Sequence, residues 1–96
     1  MQKVTLGFKC NPGMGRSLLD NFTVALVDTR VFDGCRSVET FVDHDDPDFV
    51  MLIEEWESRP DYERYMAWRV ENGLLEMLKP ILATPLELHF LDPHPA

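Results

Sequence analysis

Hydrophobic positions along this chain follow two spacings, and the spacing changes at recognisable breaks. From Lys3 to Cys10 the residues alternate, with Val4, Leu6, Phe8 and Cys10 to one side. That is the pattern of a strand with one apolar face. Asn11-Pro12-Gly13-Met14-Gly15 interrupts it. From about Arg16 to Val31, the residues Leu18, Leu19, Phe22, Ala25, Leu26 and Thr29 recur at helical spacing and predict a helix with one stripe. Asp33-Gly34 ends that helix. Cys35 to Asp43 alternates again, with Val38, Thr40 and Val42 set against Glu39 and Phe41.

The stretch Phe49 to Tyr62 is the densest in signals. Val50, Met51, Leu52 and Ile53 are apolar in succession, as in a strand covered on both faces. Alternation continues through Trp56. It groups Leu52, Glu54 and Trp56 on one face and Met51, Ile53, Glu55 and Glu57 on the other. Ser58 is set to cap a second helix, with Asp61 three residues on and Pro60 in the first turn. That helix should run from about Arg59 to Asn72. Tyr62, Tyr65, Met66, Arg69 and Val70 share a face, and Trp68 lies toward the flank. Glu71-Asn72-Gly73 stops it. Leu74 to about Leu82 repeats the helical period until Pro80 disturbs it. The last strand is Leu86 to Leu91, where Leu86, Leu88 and Phe90 oppose Glu87, His89 and Leu91.

The resulting order, βαββαβ with a small extra helix, packs most simply as a four-stranded antiparallel sheet with helices on one face. This is the ferredoxin-like α+β arrangement, formed by one domain over residues 1–96. Helices cover only one face, yet the central strand is apolar on both, and Phe41 and Leu91 lie off their strands' main apolar sides. A homodimer packed sheet to sheet is the physical expectation.

Composition narrows the partners. A formal net charge of −8 disfavours phosphate backbones and anionic membrane surfaces, so neither nucleic acid nor membrane is expected. No apolar run approaches the roughly 20 residues of a membrane span, and Met1 to Asn11 alternates rather than forming a signal-peptide core. Two cysteines, Cys10 and Cys35, are too few for a disulfide framework, and both are expected to be reduced thiols in a cytoplasmic protein.

Two motif readings fail on spacing. Gly13 and Gly15 precede a helix, but no Gly-Lys-Ser/Thr and no third glycine follows, so a plain turn is expected. Asp43 to Asp48 invites a calcium loop, with Glu54 at position twelve counted from Asp43. Pro47 and Asp48 then occupy the positions that need an oxygen donor and a glycine, and no metal site is expected there.

Several segments together resemble one family. They are Phe32, Gly34 and Cys35 at a turn; Asp45, Asp46 and Pro47 in a hairpin; Leu52 to Ser58 on a strand; and Trp68 to Gly73 ending a tyrosine-bearing helix. Over nearly the whole chain this is similar to the antibiotic biosynthesis monooxygenase family of dimeric α+β barrel proteins. The resemblance implies a cofactor-independent monooxygenase acting on a small phenolic, quinol or polyketide-like aromatic molecule. It carries Trp56 and Tyr62 over as catalytic residues. The family members that use this tyrosine carry an asparagine where this chain has Leu52. Haem-degrading members place a histidine near the position of Tyr65, so iron ligation is not expected.

Within that reading, the residue types suggest roles. Such chemistry needs an electron-rich phenolate, hence a base, a stabilised anion and exclusion of water. Glu54 or His89 is a candidate base, and Arg69 a partner for the anion. Trp56 is expected as the floor of a pocket, with Tyr62, Tyr65 and Trp68 near its wall and Leu52 beside it. The rival reading is a non-catalytic dimeric domain that binds a small aromatic ligand, with Glu54 and Arg69 as a structural ion pair.

Overall fold

The computed structural model describes Met1–Ala96. Its elements in order are β1 (Gln2–Lys9), α1 (Gly15–Val31), β2 (Cys35–Val42), β3 (Phe49–Trp56), α2 (Arg59–Glu71), α3 (Leu74–Leu78) and β4 (Glu87–Leu91). The strands form one antiparallel sheet in the order β2-β3-β1-β4. This is the ferredoxin-like arrangement, with the helices against one face.

Register sorts the side chains. Val4 pairs with Glu54, Leu6 with Leu52 and Phe8 with Val50, while Val38 faces Glu54 from the other side. These residues, with Trp56, are buried beneath the helices. They meet Leu18, Phe22 and Leu26 of α1, and Tyr62 and Tyr65 of α2, in a single core. Thr5, Met51, Ile53, Glu39 and Phe41 point the other way, and Phe41 is 47% exposed. Leu91 joins this outer face opposite Lys3 and is also exposed.

The caps explain where the helices sit. Ser58 accepts the backbone N–H of Asp61 at 3.3 Å and donates to its carboxylate at 2.9 Å, so α2 starts where the sequence placed it. Met14 heads α1 without a side-chain cap. The missing acceptor comes from the β2–β3 hairpin, because Asp48 accepts the N–H groups of Gly13 at 3.0 Å and Gly15 at 2.9 Å. Those two bonds hold the Asp48 carboxyl below its usual range. A Cβ at position 15 would run into the Pro47 carbonyl, so this close approach requires glycine.

The acidic turn is held by its own backbone. Asp43 accepts the N–H groups of Asp45 and Asp46, and Asp46 accepts that of Asp48. This is Asx-turn geometry, which spends the carboxylates locally. Asp48 therefore does more than the solvated tip expected of it.

One expectation is met and one needs correction. The helix from Leu74 stops at Leu78, shortened as Pro80 leads one to expect. The chain turns at Pro80, Ile81 tucks into the core, and Leu82 bridges Cys10. Val70 does not share the buried face of α2 but is exposed, and its place beside Tyr65 is taken by the half-buried Arg69. Cys10 and Cys35 are both free thiols, and burial raises the pKa of each.

Candidate functional site: a cleft with one polar end

A cleft of about 170 Å³ lies between the inner sheet face, α1, α2 and α3. β1 and β3 supply Leu6, Phe8, Leu52 and Glu54, and α2 supplies Tyr65, Met66 and Arg69. Phe22 and Ala25 come from α1, Leu74 and Met77 from α3, and Asn21 and Asn72 stand at the exposed rim.

Glu54 is the chemically distinctive member. It is 2% exposed, and burial pushes its pKa from 4.5 up to about 7. Two effects oppose that rise, the Trp56 indole N–H and the charge of Arg69. Trp56 Nε1 donates to Glu54 Oε1 at 2.9 Å. Both residues lie on the inner face of β3, two positions apart, so the strand itself sets this pair. A carboxyl poised near neutrality and fixed by an indole can accept a proton from a bound hydroxyl.

Above it, Arg69 ties the two long helices together. Its Nε donates to the Tyr65 hydroxyl at 2.8 Å. Its Nη2 donates to Thr29 Oγ1 at 3.0 Å and to the Ala25 carbonyl. Thr29 Oγ1 also lies 2.6 Å from the Tyr65 hydroxyl. Burial raises the Tyr65 pKa, against the bonds from Thr29 and Arg69. Arg69 makes no salt bridge, so the structural ion pair with Glu54 envisaged from sequence is not formed.

The cleft brings together Leu52, Glu54, Tyr65 and Arg69 of the sequence candidates, and leaves out Trp56, Tyr62, Trp68 and His89. Trp56 is not its floor. It is fully buried behind Glu54, with its ring 5.0 Å from that of Tyr65 and 5.6 Å from that of Tyr62. Tyr62 is enclosed by Trp56 and Phe90, its hydroxyl has no partner, and burial raises its pKa. Trp68 packs on Phe32 at 5.4 Å, on the far side of Tyr65. Three of the four aromatic residues expected to line a pocket, Trp56, Tyr62 and Trp68, instead fill the space beside one. His89 pairs with Thr5 on the outer sheet face, exposed, with its Nε2 3.2 Å from Glu87. Imidazole chemistry suggested it for the site, and the register puts it on the other side of the sheet.

Sequence reasoning did not assign a role to Thr29, which is fully buried against Tyr65 and Arg69. A threonine continuing the apolar stripe of α1 was the available signal. The contribution of α3 and the rim asparagines left no readable pattern.

An antiparallel sheet in the order β2-β3-β1-β4 with helices on one face and a cleft beneath them defines a ferredoxin-like α+β protein. Within that class, the model of the antibiotic biosynthesis monooxygenase family matches residues 1–68, and the chain belongs to that family. No curated protein matches it. Among solved structures, an antibiotic biosynthesis monooxygenase superposes with a TM-score of 0.86 at 23% identity, covering 99% of this chain and 100% of that one. Rv0793 from Mycobacterium tuberculosis superposes at 0.84 with 21% identity, covering 99% and 96%. A monooxygenase from the gene ActVA-Orf6 of Streptomyces coelicolor, in complex with Nanaomycin D, superposes at 0.79 with 23% identity, covering 99% and 88%. No helix is long and apolar enough to cross a membrane.

Proposed function

We propose that this chain is a monooxygenase of small phenolic or quinol substrates, working without flavin, haem or metal, in which Glu54 is the base. The observation that carries this reading is the buried Glu54 carboxyl at the cleft, with its pKa raised to about 7 and its Oε1 fixed by Trp56. Trp56 is then a positioning residue, and Tyr65 with Arg69 supplies the positive potential over the developing phenolate.

The reaction balances without an external reductant. Glu54 takes the hydroxyl proton, and the electron-rich ring carbon bonds to O2. One oxygen atom stays on the ring as a quinone carbonyl, and the other leaves as water with two hydrogens from the substrate. The ring supplies all four electrons. The apolar lining of Leu6, Phe8, Leu52 and Phe22 serves to exclude bulk water from the anion.

The functional unit we propose is a homodimer joined through the outer sheet face. Met51, Ile53, Phe41 and Leu91 form the apolar surface that supports it.

A second reading, a non-catalytic ligand-binding domain, is favoured by the filled aromatic cluster around Trp56 and by the commitment of Arg69 to α1. Oxygen-electrode assays on a panel of phenols and quinols separate the two. Uptake that is fast in wild type and falls in Glu54→Gln supports oxygenation. Equal uptake in both is autoxidation and leaves the binding reading.

A further inference from the structure

We propose that Thr29, together with the Tyr65 hydroxyl, is a positioning device: it fastens Arg69 to α1 and keeps it from closing on Glu54. The inference deepens the oxygenation reading and rests on it only for the consequence in turnover.

A buried carboxyl and an arginine that line one cleft are expected to pair, because opposite charges attract more strongly as water is withdrawn. No such pair forms here. The reason lies in what Arg69 already holds. Its Nε donates to the Tyr65 hydroxyl, and its Nη2 donates both to Thr29 Oγ1 at 3.0 Å and to the Ala25 carbonyl. The centre of the guanidinium also lies 4.8 Å from the Trp68 ring centroid and 5.3 Å from that of Tyr65, within cation–π range. Three acceptors on two helices and two aromatic rings therefore compete with the carboxylate for this one side chain.

Thr29 is the member that completes the set. It is fully buried, and its Oγ1 sits 2.6 Å from the Tyr65 hydroxyl, so each hydroxyl orients the other. Valine at this position would keep the shape and lose the oxygen. Arg69 would then have one acceptor fewer, and the Tyr65 hydroxyl one partner fewer. Serine would keep the oxygen.

The consequence falls on Glu54. Trp56 on its own strand, and Tyr62, Tyr65 and Arg69 on α2, all act on or feel this carboxyl. Cys35 on β2 feels it too, and Arg30 of α1 donates to the carbonyl of Val38, the β2 residue paired with Glu54. Among these, Arg69 is the cation that lowers the Glu54 pKa, and it does so without contact. At ion-pair distance a cation lowers a carboxyl by roughly 1–3 units. A Glu54 that titrates near neutrality therefore requires Arg69 to be held off.

The test follows the Trp56 indole N–H, which is bonded to Glu54 Oε1 at 2.9 Å, by nitrogen-15 NMR of the full chain without substrate. The titration runs from about pH 4 to about pH 9, which brackets the ordinary and the raised carboxyl. The wild-type midpoint is expected at about 7. Thr29→Val should move it down by about one unit or more, as Arg69 closes on the carboxylate. Thr29→Ser should stay with wild type. Arg69→Met should move it up, and adding Thr29→Val to Arg69→Met should change nothing further. A purely structural threonine would lower stability without this pattern. A folded Thr29→Val protein whose midpoint stays or rises overturns the proposal, as does a downward move that persists without Arg69 or that Thr29→Ser shares. Should Thr29→Val fail to fold, Tyr65→Phe removes the other hydroxyl and carries the same expectation. A wild-type midpoint in the ordinary carboxylate range overturns the proposal and the Glu54 base together. If the titrations follow the expected pattern but Glu54→Gln keeps its oxygen uptake, the base reading falls and the positioning stands.

Discussion

Glu54 and Glu55 are neighbours in sequence and share a residue type, yet they live in different solvents. Glu54 faces the helices, is buried, and carries a pKa near 7. Glu55 faces outward, half-exposed, 3.7 Å from Lys3 across the strand pair. The same contrast runs along all of β3. Val50, Leu52, Glu54 and Trp56 are buried, while Phe49, Met51, Ile53 and Glu55 are partly open. One face builds the cleft and its base, and the other offers a surface. The pleat, not the residue type, decides which carboxylate does chemistry.

The contrast is broken most severely at Trp56. Trp56→Ala should cost about 3–5 kcal/mol in chemical denaturation, because a fully buried indole leaves a cavity and an unpartnered carboxyl. Glu55→Ala should stay within about 0.5 kcal/mol, as a surface change. Similar losses at both would erase the distinction between the faces.

The next effect is on pH. The folded pKa of Glu54 lies above its unfolded value, so the folded state holds the proton more tightly. Its favourable contribution is complete below about 4.5 and is lost as pH rises through about 7. The span corresponds to roughly 3 kcal/mol. Denaturation midpoints of wild type should therefore fall over that window, and those of Glu54→Gln should not. Trp56→Phe removes a bond that lowers the Glu54 pKa, and should move the window to higher pH.

In turnover, Glu54→Gln should lower kcat at least about 100-fold, the usual contribution of a general base. His89→Ala, on the outer face, should leave the pH profile of oxygen uptake unchanged. A shifted profile would bring the outer face into the chemistry. For that face itself, Ile53→Asp should convert the proposed dimer to a monomer in light scattering at micromolar concentration, while a wild type that is already monomeric would sink the dimer.

The smallest effect belongs to the hairpin. Asp48→Ala should weaken the fold modestly, and the difference from wild type should vanish in acid. The Asp48 pKa is depressed, so its contribution is present above the ordinary carboxylate range and is lost as pH falls through the lowered value. Calcium should not move the melting curve, because the turn lacks the fifth-position donor and the glycine of a calcium loop, and Asp43 and Asp46 accept backbone N–H groups.

These expectations also mark what the sequence made legible. Alternation separated Leu52, Glu54 and Trp56 from Ile53 and Glu55, and the Ser58 cap was readable from residue types alone. Both are local, since they depend on the pleat and on one turn of helix. The roles within the inner face were not local. Whether Trp56 lines a space or fills it depends on where Tyr62, Tyr65 and Phe90 come to rest. Alternation sets His89 against Leu88 and Phe90, so its place on the outer face was available from the sequence. Asp48 was unreadable as a cap because its partners, Gly13 and Gly15, lie 35 and 33 residues away in sequence.

That clasp also bears on the route by which the chain folds. It joins positions 35 and 33 residues apart, linking the turn that leads into α1 to the start of β3. The β1–β3 ladder, which ends at the Lys9–Phe49 pair, closes the intervening loop, and the clasp adds two hydrogen bonds at its end, so the clasp is expected to form after the folding transition state rather than within it. Its loss should then leave the refolding rate nearly unchanged and speed unfolding, steepening nothing but the escape from the native basin. In this molecule the glycine at position 15 and the aspartate at 48 act as a latch on lifetime.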